Sequence, residues 1–137
     1  LAAAVLAAAV GIGWFLLRPA AVPFEPLSIV ANEQGAQLWR VEARADRGSL
    51  RVTVAGVIPP QPGRSYELWA LPEEGDPVSL GLLPEAGEAV RDLTPAQVAA
   101  LGRSRKVAVS LEPFGGSPQP VPTGPVLYVA EFVEVAG

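Results

Sequence analysis

The stretch that decides the fold is Ser110–Pro125, SLEPFGGSPQPVPTGP, which separates two strand-like segments. Before it, Arg105–Leu111 (RKVAVSL) alternates apolar residues with smaller or polar ones, which is the period of a half-buried strand. After it, Val126–Val135 (VLYVAEFVEV) is rich in branched and aromatic residues. Three glycines and five prolines, counted from Pro113 to Pro125, would interrupt any sheet ladder. The sequence therefore predicts a long, stiffened loop between two strands.

The Gly115-Gly116-Ser117 triplet in this loop also matches a weak pattern for a phosphate-binding loop. Such a loop needs a lysine and the N-terminus of a helix directly after it. Here no lysine follows, and the next predicted element is a strand. The structural interpretation of the loop is therefore favoured.

Further strands are predicted upstream of this loop. They are Leu27–Ala31, Ala36–Ala43, Ser49–Ala55, Ser65–Leu71 and Val78–Leu83. The tripeptide Asp46-Arg47-Gly48 favours a hairpin turn between the second and third of them. Both faces of Ser65–Leu71 (SYELWAL) are apolar, which indicates a central strand that is covered on each side.

One short helix is predicted between the last two groups of strands. Thr94 is placed as its N-cap, Pro95 as its first residue and Gln97 as the partner of a capping box. Leu93 and Val98 have the spacing of a hydrophobic staple. At roughly seven residues, such a helix is a connector that needs the sheets for its stability.

Seven or eight short strands and one short helix indicate a mainly β protein. The predicted architecture is a two-sheet antiparallel β-sandwich, immunoglobulin-like in general form, that occupies residues 27–137. The side chains predicted to be buried between the two sheets are Trp39, Tyr66, Leu68, Val107 and Val109.

The first 17 residues, LAAAVLAAAVGIGWFLL, carry no charge and predict a single transmembrane helix at 1–17. Seventeen helical residues span about 26 Å, against a hydrocarbon core of about 30 Å. Trp14 suits the membrane interface, and Arg18-Pro19 would end the helix. The alternative is the apolar region of a signal peptide, since small residues follow at Pro19-Ala20-Ala21.

Residues 18–26, RPAAVPFEP, contain three prolines and predict a semi-rigid juxtamembrane linker. Within the predicted span, Gly11 and Gly13 each cost about 1 kcal/mol of helix propensity relative to alanine. They are therefore a candidate intramembrane cleavage region. The alternative is that they are ordinary, because glycine is common in membrane helices.

Composition argues against several classes of function. A net charge of −4 argues against nucleic acid as a partner. The chain has neither histidine nor cysteine, so the usual general base, thiol nucleophile and metal ligands are missing. We expect no enzyme, no catalytic residue, no cofactor and no metal. The acidic group Glu73, Glu74 and Asp76 lacks the ligand spacing of a calcium loop, which favours a solvated turn.

Two parts of the sequence resemble the C-terminal domain of the anti-sigma-K factor family. The first is Tyr66–Pro72 (YELWALP), followed by Pro77–Leu83. The second is Glu112–Pro118 (EPFGGSP), followed by Pro122–Pro125. They occur in the family's order behind a single predicted span, and the resemblance covers about Pro26 to Val135. The matching signature residues are Tyr66, Leu68, Trp69, Ser79, Leu80, Gly81, Glu112, Pro113, Gly115, Gly116, Ser117, Pro118, Pro122, Thr123, Gly124 and Pro125.

This resemblance implies a single-pass regulator in the cell membrane, with its C-terminal sensory domain outside the cytoplasm. In the family, a cytoplasmic N-terminal domain holds an extracytoplasmic-function sigma factor inactive. Regulated proteolysis by site-1 and site-2 type proteases, the latter within the membrane, then frees the sigma factor. We expect the sigma-binding domain to be missing from this chain, which starts within an apolar segment and lacks the family's zinc-type histidine and cysteine pattern.

The alternative function is a membrane-stalked extracellular module for ligand binding or adhesion. The residues encoded upstream of Leu1 discriminate between the two hypotheses. An anti-sigma factor would have a compact acidic helical domain there, whereas a stalked module would have only a short basic leader.

Overall fold

The computed structural model describes residues 22–134 of the chain. They form the strands β1 (Phe24–Ala31), β2 (Gln37–Arg44), β3 (Ser49–Val54), β4 (Arg64–Pro72), β5 (Val78–Leu82), β6 (Glu88–Asp92), β7 (Ser104–Pro113) and β8 (Val126–Glu131). The helix α1 (Pro95–Gly102) lies between β6 and β7. The predicted span at 1–17, with Gly11 and Gly13, lies outside the described residues. Within 22–134, no helix combines the length and the apolar character needed to cross a membrane.

The strands form two four-stranded sheets whose neighbours are all antiparallel. The first sheet has the order β1-β2-β3-β6, and the second has the order β5-β4-β7-β8. The predicted mainly β fold with two antiparallel sheets and one short helix is thus confirmed, while the immunoglobulin-like form stays a prediction. Strand β6 was not predicted, because its sequence EAVRD contains only two apolar residues and it lies at a sheet edge with no buried side chain.

Three predicted boundaries differ from the structure by more than one residue. Strand β1 begins at Phe24, so the last three residues of the predicted linker 18–26 belong to the sheet. Pro26 is tolerated because β1 is an edge strand whose register shifts directly after this residue. Strand β7 continues to Pro113, so the connection predicted at 110–125 shortens to 114–125, which we call the β7–β8 loop. Strand β8 ends at Glu131, four residues before the predicted end, and the next residue forms an isolated bridge to Ser28 in β1.

An aromatic contact joins the two sheets in the core. The ring of Trp39 in β2 lies edge-on to that of Tyr66 in β4, with 5.1 Å between the ring centroids. It also lies edge-on to Tyr128 in β8, with 6.2 Å between the centroids. The polar ends are satisfied, since Trp39 Nε1 donates to the carbonyl of Pro84 (2.8 Å) and Tyr66 Oη donates to that of Pro59 (2.6 Å). All five side chains predicted to be core are buried in this cluster: Trp39, Tyr66, Leu68, Val107 and Val109.

The predicted capping of the helix is confirmed. Thr94 Oγ1 accepts from the backbone N–H of Gln97 (3.2 Å), and Gln97 Oε1 accepts from the N–H of Thr94 (2.8 Å). Gln97 Nε2 also donates to the carbonyl of Ser79 in β5 (3.0 Å). Ala100 and Leu101 are buried, so the cap and the apolar side of α1 both fix the helix to the second sheet.

We predict that Leu68→Ala lowers the free energy of unfolding by about 2–5 kcal/mol, because Leu68 is only 1% exposed and its truncation leaves a cavity. Chemical denaturation measures the change. The control is Leu82→Ala, at a leucine of β5 that is 36% exposed, where we expect a smaller loss. A loss below about 0.5 kcal/mol at Leu68, or one equal to the control, would contradict the assigned core face.

Candidate functional site: two buried carboxylates under the β7–β8 loop

The part of the second sheet's outer face that β4 and the C-terminal half of β7 form is buried, although much of it is polar. In β4 and β7 the sheet register places Glu67 opposite Ser110 and Ser65 opposite Glu112, and Trp69 lies on the same face as Glu67. Glu112, Ser110 and Trp69 are fully buried, and Glu67 is 6% exposed. Both faces of β4 are therefore covered, as its apolar pattern predicted.

Glu112 is the acceptor around which the second half of the loop is arranged. Its carboxylate accepts from Thr123 Oγ1 (2.7 Å) and from the backbone N–H groups of Thr123 (3.0 Å) and Gly124 (3.0 Å). It also accepts from Ser110 Oγ (2.8 Å), which in turn accepts from Trp69 Nε1 (2.8 Å). A continuous hydrogen-bonded path therefore runs from the indole through the serine and the carboxylate to the loop backbone.

These hydrogen bonds keep Glu112 ionised in a buried position. Burial of the carboxyl raises the pKa of Glu112, but the hydrogen bonds from Thr123 and Ser110, and from the backbone of Gly124 and Thr123, together lower it further. The pKa of Glu112 thus lies below its ordinary value of 4.5. The side chain holds the loop as an anion at neutral pH, when charge strengthens each hydrogen bond.

A second carboxylate, Glu67, holds the first half of the loop. It accepts from the N–H of Ser117 (2.7 Å) and from Ser79 Oγ in the neighbouring strand β5 (2.6 Å). Beside it, the N–H of Gly115 donates to Ser65 Oγ (3.0 Å). The β7–β8 loop is thus fixed at both ends to the outer face of the second sheet.

The loop passes so close to β7 that position 124 has no room for a side chain. A Cβ atom at Gly124 would lie 1.7 Å from the carbonyl oxygen of Leu111. The N–H of Leu111 donates to the carbonyl of Pro125 (3.0 Å), which fixes this approach. Glycine is therefore required at 124 by the packing of backbone against backbone.

Another signature glycine makes room for an arginine that joins the two sheets. Arg91 in β6 reaches the edge strand β5, where its guanidinium donates to the carbonyls of Leu80 (3.2 Å) and Leu82. Gly81 between them has φ +102°, and a Cβ there would lie 1.6 Å from Arg91 Nη1. Both the backbone conformation and the space for Arg91 therefore demand glycine at 81.

The structure brings seven of the sixteen predicted signature residues together at the two buried carboxylates. Around the two carboxylates it places Trp69, Ser79, Glu112, Gly115, Ser117, Thr123 and Gly124. Tyr66, Leu68 and Leu80 lie instead in the core, on the other side of the sheet. The N–H of Gly116 donates to the carbonyl of Pro113 in a turn, the carbonyl of Pro125 accepts from Leu111 in β7, and Pro118 and Pro122 lie in the loop. That the predicted signature residues have a functional role stays a prediction.

Four residues of this arrangement were not singled out from the sequence: Ser65, Glu67, Ser110 and Arg91. Glu67 carried a usable signal, because a carboxylate within a strand that is apolar on both faces must find partners when it is buried. Ser65 and Arg91 carried none, since their partners lie in other parts of the chain. Ser110 is only two residues from Glu112, but its other partner, Trp69, lies in a different strand.

The geometry of Glu67 and Glu112 favours a structural role, in which they hold the loop, over a catalytic one. The hydrogen bonds of both carboxylates go to groups of the chain itself. Across residues 22–134 there is no group of three or more Asp, Glu, His or Cys side chains that could hold a metal ion. In the predicted acidic turn, Glu73 pairs with Arg105 at 2.7 Å, and both side chains are exposed.

One open pocket lies beside the loop. It has a volume of about 490 Å³ and is lined by residues that include Pro60, Pro62, Tyr66, Leu82 and Phe114. The side chain of Phe114, at the start of the loop, is 84% exposed. This size is within the range of pockets that bind small molecules.

Comparison with known proteins points to one family. The family described as "Anti-sigma-K factor rskA, C-terminal" matches residues 1–126. The anti-sigma-K factor RskA of Mycobacterium tuberculosis (strain ATCC 25177 / H37Ra) is 34% identical, over 91% of this chain and 57% of its own length. That of Mycobacterium ulcerans is 33% identical with the same coverage, and that of Mycolicibacterium vanbaalenii is 34% identical over 77% of this chain and 47% of its own length. The chain thus spans about half of these relatives. No solved structure matches.

We predict that Glu112→Gln lowers the free energy of unfolding by about 3 kcal/mol at pH 7, because an anion with several buried donors is replaced by an amide that cannot accept all of them. Since the folded-state pKa lies below the ordinary 4.5, the stabilisation is complete above pH 4.5 and is lost as the pH falls through the folded-state pKa. The gap between parent and variant should therefore narrow in acid.

Denaturant titrations of parent and variant from pH 7 downwards provide the measurement. The exposed Glu74→Gln is the matched control and should change little at any pH. A variant as stable as the parent at pH 7, or a gap that does not change with pH, would show that the charge of Glu112 does not hold the loop.

Proposed function

The chain belongs to the anti-sigma-K factor RskA C-terminal family, and from this premise we propose that it is the extracytoplasmic regulatory part of a membrane-anchored anti-sigma factor. In this proposal the folded domain controls when the protein is cut, and the cutting releases an extracytoplasmic-function sigma factor. The sigma factor binds a separate N-terminal domain. The observation that carries the proposal is the family match over residues 1–126.

The position of β1 supports a role for the domain in controlling access to the juxtamembrane chain. Strand β1 begins at Phe24, so only the six residues 18–23 separate it from the predicted membrane helix at 1–17. Proteases need an extended, accessible segment, and linkers with small residues are where cleavage concentrates. A domain that starts this close to the membrane leaves a short segment for a site-1 type protease while it stays folded.

We place the domain outside the cytoplasm. Residues 18–39, next to the predicted span, contain a single basic residue, Arg18, and the positive-inside rule favours the outer side for a segment with few lysines and arginines. The absence of cysteine is compatible with an oxidising compartment. The family resemblance adds most to this assignment.

The last step in this proposal is intramembrane cleavage by a site-2 type protease near Gly11 and Gly13. Two glycines close together weaken the helical hydrogen-bonded conformation of the span. A protease that must unwind its substrate would do so there at the lowest cost.

A second candidate function rests on the open pocket beside Phe114. With about 490 Å³ and several proline and aromatic residues in its wall, it could serve a ligand-binding module on a membrane stalk. The sequence upstream of Leu1 separates the candidates, since only an anti-sigma factor needs a compact sigma-binding domain there.

The orientation predicts that a protease added to intact spheroplasts removes an epitope inserted at Gly75. This site lies in the exposed β4–β5 turn, and its Cβ direction is open. A cytoplasmic marker protein should stay intact in the same sample. An epitope that survives until the cells are lysed would place the domain on the cytoplasmic side and overturn the proposal.

If intramembrane cleavage takes place near Gly11 and Gly13, replacing both with Leu should slow the loss of the membrane-bound fragment. The replacement strengthens the helix at two positions by about 1 kcal/mol each. The measurement follows the fragment in cells after the outer domain has been removed. Loss at the parent rate would mean that these glycines are ordinary membrane residues.

A further inference from the structure

The strand next to the predicted membrane linker is held from two sides. On one side, β1 pairs with β2. On its other side, β1 has a single bridge, between Ser28 and Phe132, just after the end of β8. The N-terminal strand of the domain is therefore fastened by the C-terminal end of its described part.

The C-terminal segment 131–133, which we call the C-terminal clamp, makes this fastening. The N–H of Val133 donates to the carbonyl of Leu27 (2.8 Å), and Ser28 Oγ donates to the carbonyl of Glu131 (2.9 Å). The N–H of Phe132 donates to the carbonyl of Arg105 in β7 (2.8 Å). The clamp thus ties β1 to the start of β7 in the second sheet.

We propose that β1 is a releasable strand and that the C-terminal clamp controls its release, and with it the length of accessible chain next to the membrane. Only the cellular consequence rests on the proposed function. The release itself is a property of the fold.

The pairing of β1 with β2 is irregular enough to open locally. The register shifts twice within its eight residues, between Pro26 and Ser28 and between Val30 and Ala31. Pro26 has no N–H to donate to a ladder. Local opening takes place where buried contacts and regular hydrogen bonds are few.

The burial of β1 is also modest. Among its apolar side chains only Leu27 and Val30 are buried. Phe24 is half-buried, and the guanidinium groups of Arg44 and Arg51 lie 5.3 and 4.5 Å from its ring centre. The central strand β4 has five consecutive buried residues. Opening β1 therefore exposes far less apolar surface than unfolding the domain.

The clamp is the weaker of the two fastenings. Strand β8, which leads into it, has no fully buried side chain, and Phe132 and Val133 are only half-buried. A partner or a force that displaces the clamp would thus free one edge of β1 without disturbing β4 and β7. Release of all eight residues would lengthen the accessible segment by up to about 26 Å.

The test compares Val133→Pro with Val133→Ala in the full 137-residue chain, held in detergent micelles, by hydrogen exchange. Both variants shorten the side chain's apolar contact, but only proline removes the N–H that donates to Leu27. The expected result is exchange about ten-fold faster across β1 in the proline variant than in the alanine variant, since one backbone hydrogen bond is lost. Exchange in β4 and β7 should stay within about two-fold. Equal exchange in the two variants, or equal acceleration in all strands, would overturn the proposal.

A disulfide provides the opposite perturbation. The chain has no cysteine, so Ser28→Cys with Phe132→Cys creates a single pair at the observed bridge. Opposed residues of antiparallel strands have Cα separations that suit a disulfide. Oxidation should slow exchange in β1, and reduction should restore it.

The matched control is Thr53→Cys with Glu88→Cys, an opposed pair that joins β3 to β6 and leaves β1 free. Its oxidation should leave exchange in β1 as in the parent. If this control slows β1 as much as the bridge at 28 and 132, then β1 opens only with the whole domain, and the proposal is wrong.

In cells, the proposal predicts that the oxidised 28–132 pair slows loss of the full-length protein and that the 53–88 pair does not. If the parent is cut and the 28–132 pair does not slow it, release of β1 is not the step that exposes the cleavage site. If the full-length protein is never cut, the proposed function is wrong, whereas the release of β1 stands or falls on the exchange data.

Discussion

The interaction on which the rest of the second sheet depends is the buried negative charge of Glu112. An unpaired carboxylate in this position would be prohibitively costly, so the chain has to bring donors to it. The donors come mostly from the loop itself, as the hydroxyl and N–H of Thr123 and the N–H of Gly124. This requirement explains why a segment with little regular structure lies flat on the sheet. The prolines beside these donors restrict the unfolded chain and so lower the entropy cost of ordering the loop.

The β7–β8 loop also determines where β8 starts and thereby positions the segment after β8 that fastens β1. The bond between Leu111 and Pro125 sets β8 beside β7, and the chain then runs through β8 to the segment that fastens β1. Contacts thus run from the buried carboxylate to the strand nearest the predicted membrane linker. At the opposite edge of the two sheets, Arg91 joins the edge strands β5 and β6. A side chain therefore connects the sheets at this edge, whereas backbone hydrogen bonds from the C-terminal clamp connect them at the other. In the proposed regulator, the loop would keep the C-terminal half rigid while the N-terminal strand is the part that can be released.

The sequence predicted those features whose causes are local. The alternation of apolar and polar residues predicted β4, β7 and the core around Trp39 and Tyr66. The capping box at Thr94 predicted the helix. Strand β6 was missed because its short, mainly polar sequence pairs at a sheet edge, which depends on β3 and not on its own pattern. The predicted linker is three residues too long because prolines usually argue against a strand. An irregular edge strand nevertheless accommodates Pro26. The glycines at 81 and 124 had a clear place in the family signature, but the reasons for them lie in Arg91 and Leu111, which only the folded chain brings near.

The central claim is that a charged Glu112 organises the β7–β8 loop. Nuclear magnetic resonance of the side-chain carboxyl carbon of Glu112, followed through an acid titration together with the amide protons of Thr123 and Gly124, tests it most directly. The predicted result is a pKa of Glu112 below 4.5, with both amide signals moving in step as the carboxylate takes up its proton. A carboxyl that titrates at or above 4.5 while the two amides stay unchanged would contradict the claim.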